Sequence, residues 1–241
     1  MFLKLHLLEA NFNYIPKGYK IPSDLDYFHC TSNNTIFGTQ MKEFPTIDAP
    51  LVCDMSSDIF SRTLDFSKFG LIYAGAQKNM GPAGTTLIIV KEDILGKVTR
   101  KIPSMMNYQV HADKESMFNT PPVFAVYTSM LTLEWLKNLG GIEAIEKENF
   151  KKACLMYSEI DLNPLFTGFA ATEDRSTMNA TFSLKDDKLK ATFDAMWNEA
   201  GINGLNGHRS VGGYRASMYN ALPLESVATL VDVMSELERK A

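Results

Sequence analysis

The residues best suited to chemistry begin with Lys78, in the run Tyr73-Ala74-Gly75-Ala76-Gln77-Lys78-Asn79. A strand of buried type opens there into two small residues and then a primary amine. Lysine is costly at the end of a core strand unless its amine has a partner or a task. The plain alternative is a side chain emerging into solvent. Upstream, Val52-Cys53-Asp54-Met55-Ser56-Ser57 puts a carboxylate at the carboxyl end of another apolar strand. Ligands of open α/β sheets bind at that edge, although an aspartate there also serves as a cap for the next segment. Taken together, Lys78 and Asp54 are the two protein groups that pyridoxal phosphate chemistry requires. One forms an imine, and the other keeps a ring nitrogen protonated. The freed lysine then moves the proton between the amino-acid α-carbon and the cofactor.

A second cluster is Gly207-His208-Arg209-Ser210-Val211-Gly212-Gly213-Tyr214-Arg215. Guanidinium forks suit carboxylate and phosphate, and the glycines let an anion approach the backbone. A solvated basic loop is the alternative. In a net-acidic chain this clustering favours a small dianionic ligand, because nucleic acid asks for a broader basic face. Gly81 to Thr86 lacks the closing Lys-Ser/Thr of a phosphate loop. His29 and His111 have no neighbours at metal-ligand spacing, so no metal site is expected. Met105 and Met106 read as core filler. Trp135 and Trp197 read as packing residues within helical patterns, and Asn33-Asn34-Thr35 as a polar turn.

The elements that must hold these groups follow from length and pattern. The chain has 241 residues, 45% apolar and 22% charged, enough for two small domains. That composition excludes a disordered tail, a collagen-like repeat and a disulfide-stapled miniprotein. A formal charge of -4 gives no overall attraction to nucleic acid or anionic lipid, and neither is expected as a partner. Cys30, Cys53 and Cys154 are odd in number and widely spaced, as reduced thiols of a cytoplasmic protein would be. The opening Met1-Phe2-Leu3-Lys4-Leu5-His6-Leu7-Leu8 is faintly signal-like, but no basic region precedes it, no small-residue cleavage site follows, and Glu9 interrupts it.

Tyr27–Thr31, Leu51–Cys53, Gly70–Ala74 and Thr85–Val90 are continuously apolar runs, as central strands covered on both faces would be. The second half is helix-rich. Pro121-Pro122 opens a helix through Leu139, with Val126, Met130, Leu133 and Leu136 at helical spacing, and Gly140-Gly141 stops it. Another begins near Ile142, with a stripe of Phe150, Ala153, Cys154 and Tyr157. Met178–Leu184 reads as a strand and Asp186–Ala200 as a helix. A last helix from Pro223 buries Val227, Leu230, Val231, Met234 and Leu237, and ends in Arg239-Lys240. The pattern divides into a first unit, 1–140, and a second, 141–241.

At Asn34-Thr35-Ile36, Asp54-Met55-Ser56-Ser57, Gly75-Ala76-Gln77-Lys78-Asn79, Met117 through Pro122 and Gly207 through Asn220, the chain resembles the phosphoserine aminotransferases. These are fold-type I pyridoxal phosphate enzymes of the class V group. The resemblance implies an α/β fold. Residues 1–140 would be the remainder of a large cofactor-binding domain, with a mainly parallel sheet and helices, and 141–241 a small α+β carboxyl-terminal domain. It implies that Lys78 forms the Schiff base with pyridoxal 5'-phosphate, Asp54 meets the pyridine nitrogen, Thr35 the phenolic oxygen, and Gln77 lies beside the cofactor. Asn119 and Thr120 would reach the cofactor phosphate of a neighbouring subunit, which implies a homodimer. His208 and Arg209 would hold the distal anion of the substrate, and Arg215 its α-carboxylate. The implied reaction moves the amino group between glutamate and 3-phosphohydroxypyruvate in serine synthesis, and in some bacteria also serves the pyridoxine route. Family members are about half again as long. Nothing in Met1 to Tyr14 matches their amino-terminal Gly-rich turn, ring-stacking tryptophan or His-Arg pair. A missing amino-terminal segment, and low activity of the chain alone, are therefore expected. The alternatives are a non-catalytic dimerising remnant and another class V enzyme, such as a serine-glyoxylate aminotransferase.

Overall fold

Residues 11–241 are described by a computed structural model of the chain, so the signal-like stretch 1–8 lies outside them. Strand β1 (Phe28–Thr31) leads into a two-residue hairpin, β2 (Asn33–Asn34) and β3 (Thr39–Gln40), followed by β4 (Leu51–Asp54), β5 (Leu71–Gly75) and β6 (Thr86–Val90). The main sheet runs β1-β4-β5-β6, with the first three strands parallel and β6 antiparallel to β5. The register pairs Thr31 with Asp54 and Asp54 with Tyr73, so the carboxyl ends of the parallel strands share one edge.

Side chains alternate across this sheet as strand geometry requires. Phe28, Cys30, Leu51, Cys53, Ile72 and Ala74 face a core completed by Met55, Ile59, Phe69 and Met80. His29, Thr31, Val52, Asp54 and Tyr73 occupy more open positions. The expectation that all these strands are covered on both faces does not hold for β6, which ends the sheet and is only half-buried. An apolar run reports the burial a strand tolerates and does not give its place in the sheet.

The second half contains α1 (Tyr108–Asp113), α2 (Val123–Asn138), α3 (Gly141–Leu162), β7 (Phe166–Gly168), β8 (Asn179–Leu184), α4 (Lys190–Glu199), β9 (Tyr214–Ser217) and α5 (Leu224–Lys240). The strands form an antiparallel sheet, β7-β8-β9. Its core joins Met156 and Ile160 of α3, Phe193 and Trp197 of α4, and Val227, Leu230, Met234 and Leu237 of α5. Phe193 meets Phe166 and Tyr214 edge-on, with ring centroids 5.2 and 4.9 Å apart. Each such aromatic pair adds about 0.5–1.5 kcal/mol to the area it buries.

Two helix faces differ from expectation. On α3 the buried side chains are Ile145, Asn149, Lys152, Ala153, Met156 and Ile160, whereas Phe150 and Cys154 are exposed. The buried stripe includes an amide and an ammonium, which a hydrophobic pattern assigns to solvent. On α2 only Ala125 and Leu136 are fully buried, and Val126, Met130, Leu133 and Trp135 are exposed. That helix is apolar nearly all round, so its sequence singles out no inward face. Met105 and Met106 are likewise exposed. Among the described residues, no helix is long and apolar enough to cross a membrane.

Candidate active site

Four of the residues expected at the site cluster on the shared edge of the main sheet. Thr35 sits in the β2–β3 turn, where the Asn34 Oδ1 accepts the N–H groups of Ile36 and Phe37 at 3.1 and 3.3 Å. Gly38 closes that turn at a φ of +73°, and a Cβ there would lie 2.8 Å from the Asn179 carbonyl. Only glycine fits both the conformation and the approach. The first reading of Asn33-Asn34-Thr35, a polar turn, is thus correct as to shape, and the turn also carries a site hydroxyl.

Lys78 lies in the turn after β5 and donates from Nζ to the Thr35 Oγ1 at 2.9 Å. It is half-buried, so its amine does not run freely into solvent, and among the described residues it forms no ion pair. Asp54 ends β4. Its Oδ1 accepts the Ser56 N–H at 2.8 Å, and Ser56 Oγ accepts the Gly75 N–H at 3.1 Å. Asp54 therefore caps the following turn and at the same time presents its carboxylate at the sheet edge, so both readings of it apply. Through Ser56 the turn is stitched to the exit of the strand that delivers Lys78. Gln77 is exposed, with its side-chain amide packed over the Gly75 Cα.

The remaining candidates stand apart. Asn119 and Thr120 are exposed, and the Asn119 Nδ2 donates only to the Thr120 carbonyl at 3.2 Å. Asn119 borders a groove of about 720 Å³ between α2 and the Gly84–Leu87 segment. Among the described residues, no hydrogen bond joins this pair to the Lys78 cluster. His208 and Arg209 occupy the loop before β9, where His208 Nδ1 and Ser210 Oγ are 2.7 Å apart and Arg209 is exposed. A Cβ on Gly207 would fall 2.0 Å from the Gly212 carbonyl oxygen, so the loop folds back on itself without room for any side chain there. Arg215 stands on β9 opposite Thr181, and its Nε is buried without a hydrogen-bond partner among the described residues.

Sequence reasoning missed a pair on the open face of the sheet. The His29 Nε2 and Tyr73 hydroxyl are 3.0 Å apart, with ring centroids at 6.0 Å. Burial, and after it the Asp54 carboxylate, push the Tyr73 phenol above its ordinary range. Strand alternation from Asp54 would have found both residues, since the parallel register puts all three on one face.

An amine and a carboxylate thus stand at the carboxyl edge of a mostly parallel sheet, which a smaller antiparallel unit follows. A family model described as aminotransferase class-V matches residues 17–230, and the chain belongs to that family. It is 72% identical over 232 residues to a phosphoserine aminotransferase of Flavobacterium psychrophilum, covering 96% of this chain and 65% of that protein. It is 58% identical to one of Azobacteroides pseudotrichonymphae, again covering 96% of this chain and 65% of the relative. The solved phosphoserine aminotransferase of Bacillus circulans subsp. alkalophilus superposes with a TM-score of 0.93 at 42% identity, over 97% of this chain and 66% of that one. A PLP-bound phosphoserine aminotransferase from Trichomonas vaginalis gives 0.85 at 39% identity, over 90% of this chain and 62% of its own. The chain thus spans about 65% of the length of the curated relatives it matches.

Proposed function

We propose that this chain is the greater part of a phosphoserine transaminase, which moves the amino group between glutamate and 3-phosphohydroxypyruvate in the cytoplasm. The observation carrying this reading is the Lys78–Thr35 contact on the same sheet edge as Asp54. Pyridoxal 5'-phosphate suits that donor set: the lysine amine has a neutral partner, a carboxylate stands one strand away, and the Arg215 Nε is a buried donor still lacking an acceptor. When bound, the cofactor supplies an aldehyde that carries the amino group and a ring that withdraws electrons from the substrate α-carbon.

The chain's own groups take the other roles. Lys78 would hold the cofactor through its amine and would serve, with that amine free, as the base at the substrate Cα. Asp54, fixed by the Ser56 N–H, would face the ring nitrogen of the cofactor from the sheet edge. Thr35 offers its hydroxyl to the phenolic oxygen, and Gln77 lies alongside. His208 and Arg209 take the distal anion, and Arg215 forks onto the α-carboxylate. Asn119 and Thr120 serve the phosphate of a second copy. This assignment agrees with their standing apart from this chain's own Lys78 and with the exposed apolar face of α2 beside them. The working enzyme is then a homodimer in which chain from outside the matched segment completes each site. The deciding experiment is borohydride reduction in the presence of pyridoxal 5'-phosphate, followed by peptide mapping. Label on Lys78 is expected, and label spread evenly over surface lysines would refute the proposal.

A further inference from the structure

We infer that Asn79 is a positioning residue, whose side chain ties the Lys78 turn to the segment leaving β9 and so fixes the lysine relative to Arg215. The inference rests on the function proposed above. Asn79 is the next residue after Lys78 and is buried. Its Oδ1 accepts the backbone N–H of Asn220 at 3.0 Å, and its Nδ2 donates to the Ile59 carbonyl at 3.1 Å. Asn220 lies just past β9, the strand that carries Arg215. The covalent neighbour of the reactive lysine is therefore bonded directly to the chain that presents the carboxylate-binding arginine.

The segment after β9 is also held from α3, independently of Asn79. Lys152 is 1% exposed and donates to the carbonyls of Met218, Tyr219 and Leu222 at 3.2, 2.9 and 3.0 Å. Asn149 donates to the Asn220 Oδ1 at 2.9 Å and to the Ser61 carbonyl at 3.0 Å. Removing the Asn79 amide leaves these bonds in place, so the segment stays folded but loses its link to the Lys78 turn. A matching bridge stands on the other side of the Lys78–Thr35 contact. There Asn33 donates to the Ser57 Oγ and the Asn179 Oδ1, both at 2.9 Å, and the Asn179 Nδ2 reaches the Ser217 Oγ at 3.3 Å. Each residue of the lysine–threonine pair thus has a nearby asparagine tied to the second unit, Asn33 to Asn179 on β8 and Asn79 to Asn220 just past β9. In a low-dielectric interior paired amides such as those of Asn33 and Asn79 specify one arrangement, and an unpaired N–H left behind is penalised.

The test compares Asn79→Ala with Asn149→Ala, which weakens the same region without touching the Lys78 turn. In the full chain without cofactor, Asn79→Ala should speed amide exchange at Asn220 by about tenfold or more, because that N–H loses its acceptor. An unchanged rate overturns the inference. In the enzyme completed by its remaining segment, Asn79→Ala should raise KM for the amino donor about tenfold with kcat changed less, and Asn149→Ala should move KM by about twofold at most. Equal KM effects in proportion to lost stability would reduce Asn79 to a structural role and overturn the inference. Should Asn79→Ala fail to fold, Asn79→Asp decides. It keeps an oxygen for the Asn220 N–H, so exchange at Asn220 should stay within about threefold of other core amides even though a buried carboxylate facing the Ile59 carbonyl lowers overall stability; selectively faster exchange at Asn220 refutes the tether. Absence of cofactor on Lys78 in the parent would refute the proposed function instead, and the exchange measurement then judges the tether alone.

Discussion

The Lys78 Nζ and the Thr35 Oγ1 meet at 2.9 Å, although one leaves β5 and the other the β2–β3 turn. The hydroxyl is a neutral acceptor, so it orients the amine without neutralising it. Thr35→Val keeps the shape and removes this acceptor. The same hydroxyl is the donor proposed for the cofactor's phenolic oxygen, and a hydrogen bond to a charged group contributes about 1.5–3 kcal/mol, so the affinity for pyridoxal 5'-phosphate is expected to fall roughly tenfold or more in spectroscopic titration. Lys78→Ala should abolish borohydride-trapped cofactor altogether. Trapping on the alanine variant equal to that on the parent would remove Lys78 from the chemistry.

Arg209 and Arg215 occupy different settings, one exposed in a loop and the other on β9 with its Nε buried and unpaired. In the completed enzyme, Arg209→Ala should raise KM for the phosphorylated substrate well above any loss of cofactor affinity. Arg215→Ala should raise KM for glutamate as well, because both substrates carry an α-carboxylate. Losing a charge-assisted bidentate contact corresponds to about a tenfold to hundredfold rise. Steady-state kinetics with both substrates, beside cofactor titration, check the split. Equal losses in cofactor and substrate binding would contradict these roles.

The apolar surface of α2 gives a separate expectation. Val123 and Phe124 are 68% and 73% exposed, close to Asn119 and its groove. Phe124→Glu removes no buried contact of this chain, so its own stability should change by less than about 0.5 kcal/mol. Self-association of the completed enzyme should weaken strongly, because a carboxylate would be desolvated in the interface. Sedimentation velocity measures the association and urea unfolding the stability. An unchanged dimer would move the interface elsewhere.

The sheet edge was legible in sequence because apolar strands, Asp54 and the small residues before Lys78 each carry a local signal. The strand Met178–Leu184 and the final helix were legible for the same reason, with Val231 only partly buried instead of fully. Strands β7 and β9 were not. They are three and four residues long, and β9 lies within a glycine-rich run that local propensity assigns to a loop. The buried face of α3 was misread because Asn149 and Lys152 look solvent-directed until their partners, 66 to 88 residues away in sequence, are known. Trp197 packs inside as expected, whereas Trp135, equally helical in pattern, is exposed on α2. Periodicity gives a helix a face only when its other face is polar.

Lys152 and Lys42 together set a pH dependence of stability. Burial brings the Lys152 ammonium down to about 8, with Glu148 opposing the shift. Burial and then the Arg62 guanidinium bring Lys42 to about 8, opposed by Asp58 and Asp174. Both values lie below the ordinary lysine value of 10.5. Between the two, the unfolded chain retains protons that the folded chain has released, so unfolding free energy rises with pH from about 8 upward. Groups with raised values act in the opposite sense at higher pH. Cys53, hydrogen-bonded to Cys30 and buried, begins to oppose near its ordinary value of 9.0, and Tyr157, raised by burial, near 10.0. The lysine contribution is therefore read most cleanly between about pH 7.5 and 9. Lys152→Met leaves three backbone carbonyls without their ammonium donor and should cost about 1–3 kcal/mol at neutral pH. Because the buried charge is gone, its urea-unfolding stability should rise less steeply with pH than that of the parent, so the gap between the two widens toward pH 9. Parallel curves across that window would mean that the three carbonyls keep Lys152 protonated in the folded chain, and would leave the pH dependence to Lys42.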